Sequence, residues 1–174
     1  MKRIVALATA LILCLSLVAC GEETVEITIP ASLAGYTESN DSFDPTAYVV
    51  ENGFISAVIN EDTSITITMT RARHKELLAE MTAEYDEAFQ EMIGAESTPY
   101  ITDITHSDDF RSFVVTVERA GYENAYIELT PFLLGLSGAV YQTFAGTQPY
   151  VTISIADNQT GEELLSQVYP APET

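Results

Sequence analysis

Three times along the chain a helical stretch stops at a glycine, an aromatic residue follows, and two strand-like runs separated by a polar turn come next. In the first unit Asp44-Pro45 supplies an N-cap and a proline at the first helical position,. Gly53 closes a short helix over 45–52, and strands Phe54–Ile59 and Ile65–Met69 flank the turn Asn60-Glu61-Asp62,. The second unit opens with a long helix from about Ala72 to Ile93, ended by Gly94. Its apolar stripe is Leu77, Leu78, Met81, Tyr85, Phe89 and Met92, the spacing of a helix resting on a core,. Strands Tyr100–Thr105 and Ser112–Glu118 come next, with Phe113, Val115 and Val117 expected to face inward,. In the third unit Thr130-Pro131 is read as the cap of a helix running to Ala145 and stopping at Gly146. Strands Tyr150–Ala156 and Glu163–Tyr169 follow, joined by Asp157-Asn158-Gln159-Thr160-Gly161.

The aromatic leaders Phe54, Tyr100 and Tyr150 recur at spacings of 46 and 50 residues. Thr70-Arg71-Ala72 and Glu118-Arg119-Ala120 stand at the same point after the second strand of their units. Such recurrence marks repeated supersecondary units. Ahead of them Val25, Ile27 and Ile29 alternate with Thr24, Glu26 and Thr28, a half-buried strand stopped by Pro30, and residues 31–44 read as loop,. The expected fold is α+β: a mostly antiparallel sheet with helices on one face, built from about three αββ units after an N-terminal strand.

The third helix differs from the second. Phe132, Leu133, Leu134, Leu136, Val140, Tyr141 and Phe144 leave almost no polar face, and Gly135 and Gly138 invite close backbone approach. A helix apolar all round is normally buried, so a central position is expected, with a partner or dimer surface as the alternative. It is too short for a membrane span and is flanked by Glu128 and Gln142,.

The first residues read as a secretory leader. Lys2 and Arg3 precede an apolar run from Ile4 to Leu17, and Leu17-Val18-Ala19-Cys20 ends it,. This tetrapeptide resembles the lipobox of bacterial lipoproteins, which implies cleavage before Cys20 and attachment of a diacylglycerol, palmitate being a typical acyl chain, to its sulfur. Two acyl chains give a stable anchor where one gives only marginal binding. A transmembrane reading of residues 4–19 falls short of the roughly 20 residues a span requires. The expected organisation is a signal peptide over 1–19, a tether over 20–24, one α+β domain over 25–170 and a tail over 171–174. Cys14 leaves with the leader and Cys20 carries lipid, so the mature chain has no thiol for a disulfide, a metal or nucleophilic catalysis,.

Loss of Lys2 and Arg3 leaves five basic residues against 26 acidic ones, a mature charge of about −21. Such a surface excludes nucleic acid as a partner, because the phosphate backbone requires clustered Lys and Arg. Acidity ordinarily supplies solubility; weak cation binding or a basic protein partner are its functional readings. From Cys20 to Val25 the chain reaches roughly 17 Å when extended. The domain is therefore expected close to the membrane, with anionic headgroups repelling it.

Catalytic signatures are missing. The sequence has no GxxxxGK, GxGxxG or HExxH, and Ser137 in Gly135-Leu136-Ser137-Gly138 lies within an apolar helix rather than a nucleophile elbow,. Asp157–Glu162 lacks the glycine and acidic positions of a calcium loop and reads as a hairpin turn,. No cofactor is expected. His106 in His106-Ser107-Asp108-Asp109 is read as a turn residue, with metal binding or proton relay as the alternative. Arg71, Arg73 and Lys75, with His74 among them, gather three of the five mature basic residues at the start of the long helix. Positive charge there opposes the helix dipole. Pairing with acidic side chains is one explanation, and a site for an anion or acidic partner is the other. Glu26, Thr28, Thr66, Thr68, Thr70, Thr116, Thr152 and Ser154 form the outward strand face, too poor in aromatics for a typical glycan platform.

The lipobox, Ile27-Thr28-Ile29-Pro30, Ile65-Thr66-Ile67-Thr68-Met69-Thr70, His74-Lys75-Glu76-Leu77-Leu78 and Gly138-Ala139-Val140-Tyr141-Gln142 resemble a group of small lipoproteins of clostridia-type Gram-positive bacteria. The likeness covers most of the chain and implies localisation and fold, with no activity and no functional site carried over. The tether departs from the Ser/Gly-rich spacer expected of such proteins. The expected function is a non-catalytic protein-interaction or envelope module that meets an envelope or surface protein through a sheet edge or the third helix. A lipid-tethered binder of a small ligand or cation is the alternative, and an enzyme is third.

Overall fold

Strand alternation and helix caps place the elements close to where the sequence puts them. The computed structural model describes residues 22–34, 44–125 and 129–170. Cys20, Leu17, Val18, Ala19, Glu128 and the 171–174 tail lie outside the described residues. The strands are β1 (Thr24–Ile29), β2 (Ser56–Ile59), β3 (Ile65–Thr70), β4 (Ile101–His106), β5 (Ser112–Val117), β6 (Val151–Asp157) and β7 (Glu163–Tyr169). The helices are α1 (Ala31–Ala34), α2 (Pro45–Asn52), α3 (Arg71–Met92), α4 (Arg119–Glu123) and α5 (Thr130–Phe144). Helix, strand, strand recurs three times, as α2-β2-β3, α3-β4-β5 and α5-β6-β7, and each strand pair is antiparallel.

The fold is α+β and mostly antiparallel, as expected, with the strands shared between two sheets rather than gathered in one. The first has the order β1-β3-β2 and the second β4-β5-β6-β7. β5 and β6 run parallel, because α4 and α5 carry the chain back between them,. Residues 31–34, read as loop, form the helical turn α1. The strands after Phe54, Tyr100 and Tyr150 begin one or two residues beyond these aromatics. Phe54 and Tyr100 are buried anchors, whereas Tyr150 is exposed, so the third leader does not share their packing role.

Each sheet buries one face. Ile27, Ile29, Ile65, Ile67 and Met69 line the inner face of the first, and Phe113, Val115, Val117, Ile153 and Ile155 that of the second. The outward Thr and Ser positions are exposed or half-buried, as alternation requires,. The two long helices cover both inner faces. Leu77, early in α3, packs in the first core, while Tyr85, Phe89 and Met92 pack in the second. α5 runs the other way between the cores: Leu134 belongs to the second and Phe144 to the first. Each fully buried Ile or Phe contributes about 1.5–3 kcal/mol of transfer free energy, and here the helices couple the two contributions.

α5 buries Leu134, Gly135, Gly138, Ala139, Gln142 and Thr143, yet Phe132 and Leu133 are exposed, so the helix is central on one face only. A Cβ on Gly138 would stand 2.7 Å from the carbonyl oxygen of Phe110, and one on Gly135 would stand 2.8 Å from Cβ of Tyr169. The glycines therefore set the approach of helix to sheet, as their positions in an apolar helix imply. The expected Thr130 cap is displaced: the N-cap is Leu129, which offers no side-chain bond, and Thr130 is the first helical residue.

Candidate interaction surface

The basic cluster resolves into separate structural roles. Arg71, exposed, pairs with Glu23 at 2.7 Å. Arg73 donates from Nε to the carbonyl oxygen of Asn52 (2.8 Å), while its terminal nitrogens donate to Glu76 (3.0 Å) and Glu80 (2.9 and 3.0 Å). Its position at the positive end of α3 is unfavourable, but the guanidinium reaches the negative end of α2 and satisfies a terminal carbonyl there. The guanidinium holds the Glu80 carboxyl below its ordinary value. Nε2 of His74 lies 2.7 Å from the carbonyl oxygen of Phe144. Lys75 is exposed and makes no ion pair among the described residues. The four residues do not converge on a common point; three of them hold elements together.

His106 meets Asp86 of α3, not the neighbouring aspartates of its turn. Its Nε2 is 2.8 Å from Asp86 Oδ1 and its Nδ1 is 2.9 Å from the carbonyl oxygen of Ser107. Both ring nitrogens therefore face acceptors, and the ring stacks on Phe110 at 4.2 Å. Asp109 instead accepts from the Ser107 hydroxyl (2.7 Å), which lowers its pKa. Ser137 donates to the carbonyl oxygen of Leu133 within its own helix. Asp157 organises the hairpin predicted for it: Oδ1 accepts from the backbone of Gln159 and Thr160, and Oδ2 from Arg119 Nε at 2.7 Å. The Arg119 guanidinium, with those amides, holds its carboxyl at about 2. Thr70 and Glu118, matched in the sequence, are both helix N-caps, each followed by its arginine.

Among the described residues no group of three or more His, Cys, Asp or Glu is placed to hold a metal ion, and no helix is long and apolar enough to cross a membrane. Beside its many carboxylates the described surface exposes several large apolar side chains. Val50, Ile55 and Val58 are 76%, 53% and 54% exposed around α2 and β2. Leu129, Phe132 and Leu133 are 59%, 53% and 45% exposed at the start of α5. The second group borders a cavity of about 480 Å³ between α5 and the end of α3, lined by Met92, Ala95, Tyr100 and Leu133 among others. A second cavity, about 340 Å³, lies between the first sheet and α5 against Ile29, Tyr48, Ile65, Val140 and Phe144. Sequence reasoning found the apolar character of α5 but not the exposure of Val50, Ile55 and Val58, because apolar residues in a short helix and strand read equally well as core. Comparison with protein-family models, with curated proteins and with solved structures gives no match to this chain.

Proposed function

We propose that this chain is a membrane-anchored extracytoplasmic lipoprotein, lipidated on Cys20, whose domain is a non-catalytic protein-interaction module. The observation that supports the interaction role is the exposure of Leu129, Phe132 and Leu133 together at the start of α5, where Leu129 and Leu133 line the cavity of about 480 Å³. Clustered exposed apolar surface marks contact sites, whereas isolated exposed apolar residues are ordinary. The lipobox Leu17-Val18-Ala19-Cys20 supports the anchor. Resemblance to small lipoproteins of clostridia-type bacteria is consistent with the anchor. The test is made on intact cells: alkyne-palmitate labelling should require Cys20 and vanish in Cys20→Ala. A photo-crosslinker at position 58 or 132 should capture a defined protein that one at position 152, on the outward face of the second sheet, does not. Labelling independent of Cys20 would remove the anchor, and identical capture from all three positions would remove the module.

A second reading rests on the cavity of about 340 Å³ beneath the first sheet, which is lined almost entirely by apolar groups,. It supports a lipid-tethered binder of a small apolar ligand. Such a ligand at 100 times its Kd stabilises by about 2.7 kcal/mol, which a thermal melt against a metabolite panel would register.

A further inference from the structure

The described sheets have four edge strands, and three carry a feature that discourages pairing. β1 carries Glu26; β4 carries Asp103 and a register shift beside it; β7 begins at Glu163 and its pairing with β6 shifts register. Charge and irregularity of this kind protect edges against further strands. β2, Ser56-Ala57-Val58-Ile59, has no charge, no proline and no register shift within its four residues, although Ile55 just before it donates to the Thr68 carbonyl out of step with the Ser56–Thr68 pair.

The ladder fixes which backbone groups are available. Asn60 N–H donates to the carbonyl of Ser64 at 2.8 Å, so by antiparallel alternation Val58 bonds Thr66 while Ala57 and Ile59 turn their N–H and C=O away from β3,. The same parity holds across the sheet, where Arg71 N–H donates to Glu23 at 2.7 Å and the odd residues of β3 serve β1. Among the described residues no strand pairs with this side of β2. Beside it lies a shallow, open depression of about 240 Å³ lined by Pro45, Thr46, Val49, Ile55, Ser56 and Ala57. Glu51, Glu61 and Asp62, all exposed, flank the strand. Arg73, whose guanidinium bonds the Asn52 carbonyl at the end of α2, is already engaged by Glu76 and Glu80.

We infer that the outer edge of β2 accepts an extended segment of a partner protein as an additional strand, and that this segment alternates apolar residues and carries Lys or Arg at its ends. The inference rests on the interaction-module reading and gives it a surface and a partner chemistry. Main-chain bonds to Ala57 and Ile59 supply affinity, the exposed Ile55 and half-buried Ala57 offer contact to an apolar side chain, and the flanking carboxylates select basic ends,. A second copy is the poorer occupant. Pairing β2 with β2 would bring Glu51, Glu61 and Asp62 of both copies together in a chain of net charge −19,.

The test uses the full chain in detergent and two blocked octapeptides alternating valine and threonine, one lysine-ended and one glutamate-ended. The lysine-ended peptide should bind at least about tenfold more tightly, and less so as salt is raised. Ala57→Pro removes an outward N–H without touching the β3 ladder, a substitution edge strands tolerate. It should weaken binding about tenfold or more while the Val58 amide stays protected from exchange. Val58→Lys, which places a charge on the exposed face, should do the same even if the proline variant does not fold. Binding of neither peptide, equal binding of both, or binding unchanged in the variants would overturn the inference. So would exchange protection of the Ala57 and Ile59 amides in the free protein, or dimerisation through β2. The assay depends on neither lipid nor a cellular partner, so its failure leaves the Cys20 and crosslinking tests standing, and theirs leaves it standing.

Discussion

Nε2 of His74, in the first turn of α3, lies 2.7 Å from the carbonyl oxygen of Phe144, the last residue of α5. The ring donates to a carbonyl that the helix itself leaves unpaired. One hydrogen bond thus ties the start of one long helix to the end of the other, beneath the first sheet.

A part-buried carbonyl deprived of its donor loses more than the bond's net contribution. His74→Ala should lower unfolding free energy by about 1–2 kcal/mol in urea titration. Because both helices span both cores, the loss should appear as one cooperative transition with an unchanged m-value. A separate early transition of the first sheet would show that the helices do not couple the two cores.

Gly138 reverses the usual helical rule. Gly→Ala in a helix interior ordinarily stabilises by about 1 kcal/mol. Here the added Cβ would meet backbone, the Phe110 carbonyl at 2.7 Å, and Val151 Cγ2 at 2.8 Å. Phe110 cannot retreat easily, since it sits at φ 55, accepts from Gln142 and stacks on Tyr141. Gly138→Ala should therefore destabilise by about 1–3 kcal/mol, a change of sign that a thermal melt reads directly.

Arg71 and Arg73 look alike in the sequence and should behave differently. The Arg71–Glu23 pair is 70% and 73% exposed, and ion pairs at such sites contribute little,. Arg73 has a side chain only 19% exposed, a fork on Glu80 and a bond to the end of α2. Arg71→Ala should leave the melting midpoint nearly unchanged, whereas Arg73→Ala should lower it. Arg73→Lys should recover only part of that loss, because an ammonium cannot reproduce the bidentate geometry.

The elements of this fold were legible because each is marked locally: alternation in Ile65–Met69, a cap at Asp44, stops at Gly53, Gly94 and Gly146. Their partition into two sheets was not. It depends on β5 pairing with β6 rather than with β3, a choice between strands of similar apolar pattern that no local signal encodes. Gln142 shows the same limit. In the sequence it is a polar flank of an apolar helix, but in the fold it is 1% exposed. It donates to Phe110 at 3.0 Å and to Tyr150 at 3.3 Å, and accepts from Tyr150 N–H at 3.0 Å. Of the basic cluster, the composition was legible and the partners were not, because Asn52 and Phe144 are brought there by tertiary packing.

Asp157 sets the direction of one pH effect. Its carboxyl is held at about 2, below the ordinary aspartate value of 3.8, first by the Arg119 guanidinium and then by the Gln159 and Thr160 amides. A group with a folded-state pKa below its unfolded one contributes stability that is complete above the unfolded value and is lost as pH falls toward the folded one. The window is therefore about pH 4 down to about pH 2,. Asp62, Glu80 and Asp109 are also lowered, so the wild type should lose stability in acid by several routes. Asp157→Asn isolates one of them. The variant should be less stable than wild type at pH 6 in urea titration, and the gap should narrow steadily between pH 4 and pH 2. No gap at pH 6 would assign the role of Asp157 to its hydrogen bonds with the turn amides, which an asparagine oxygen keeps, and not to its charge beside Arg119.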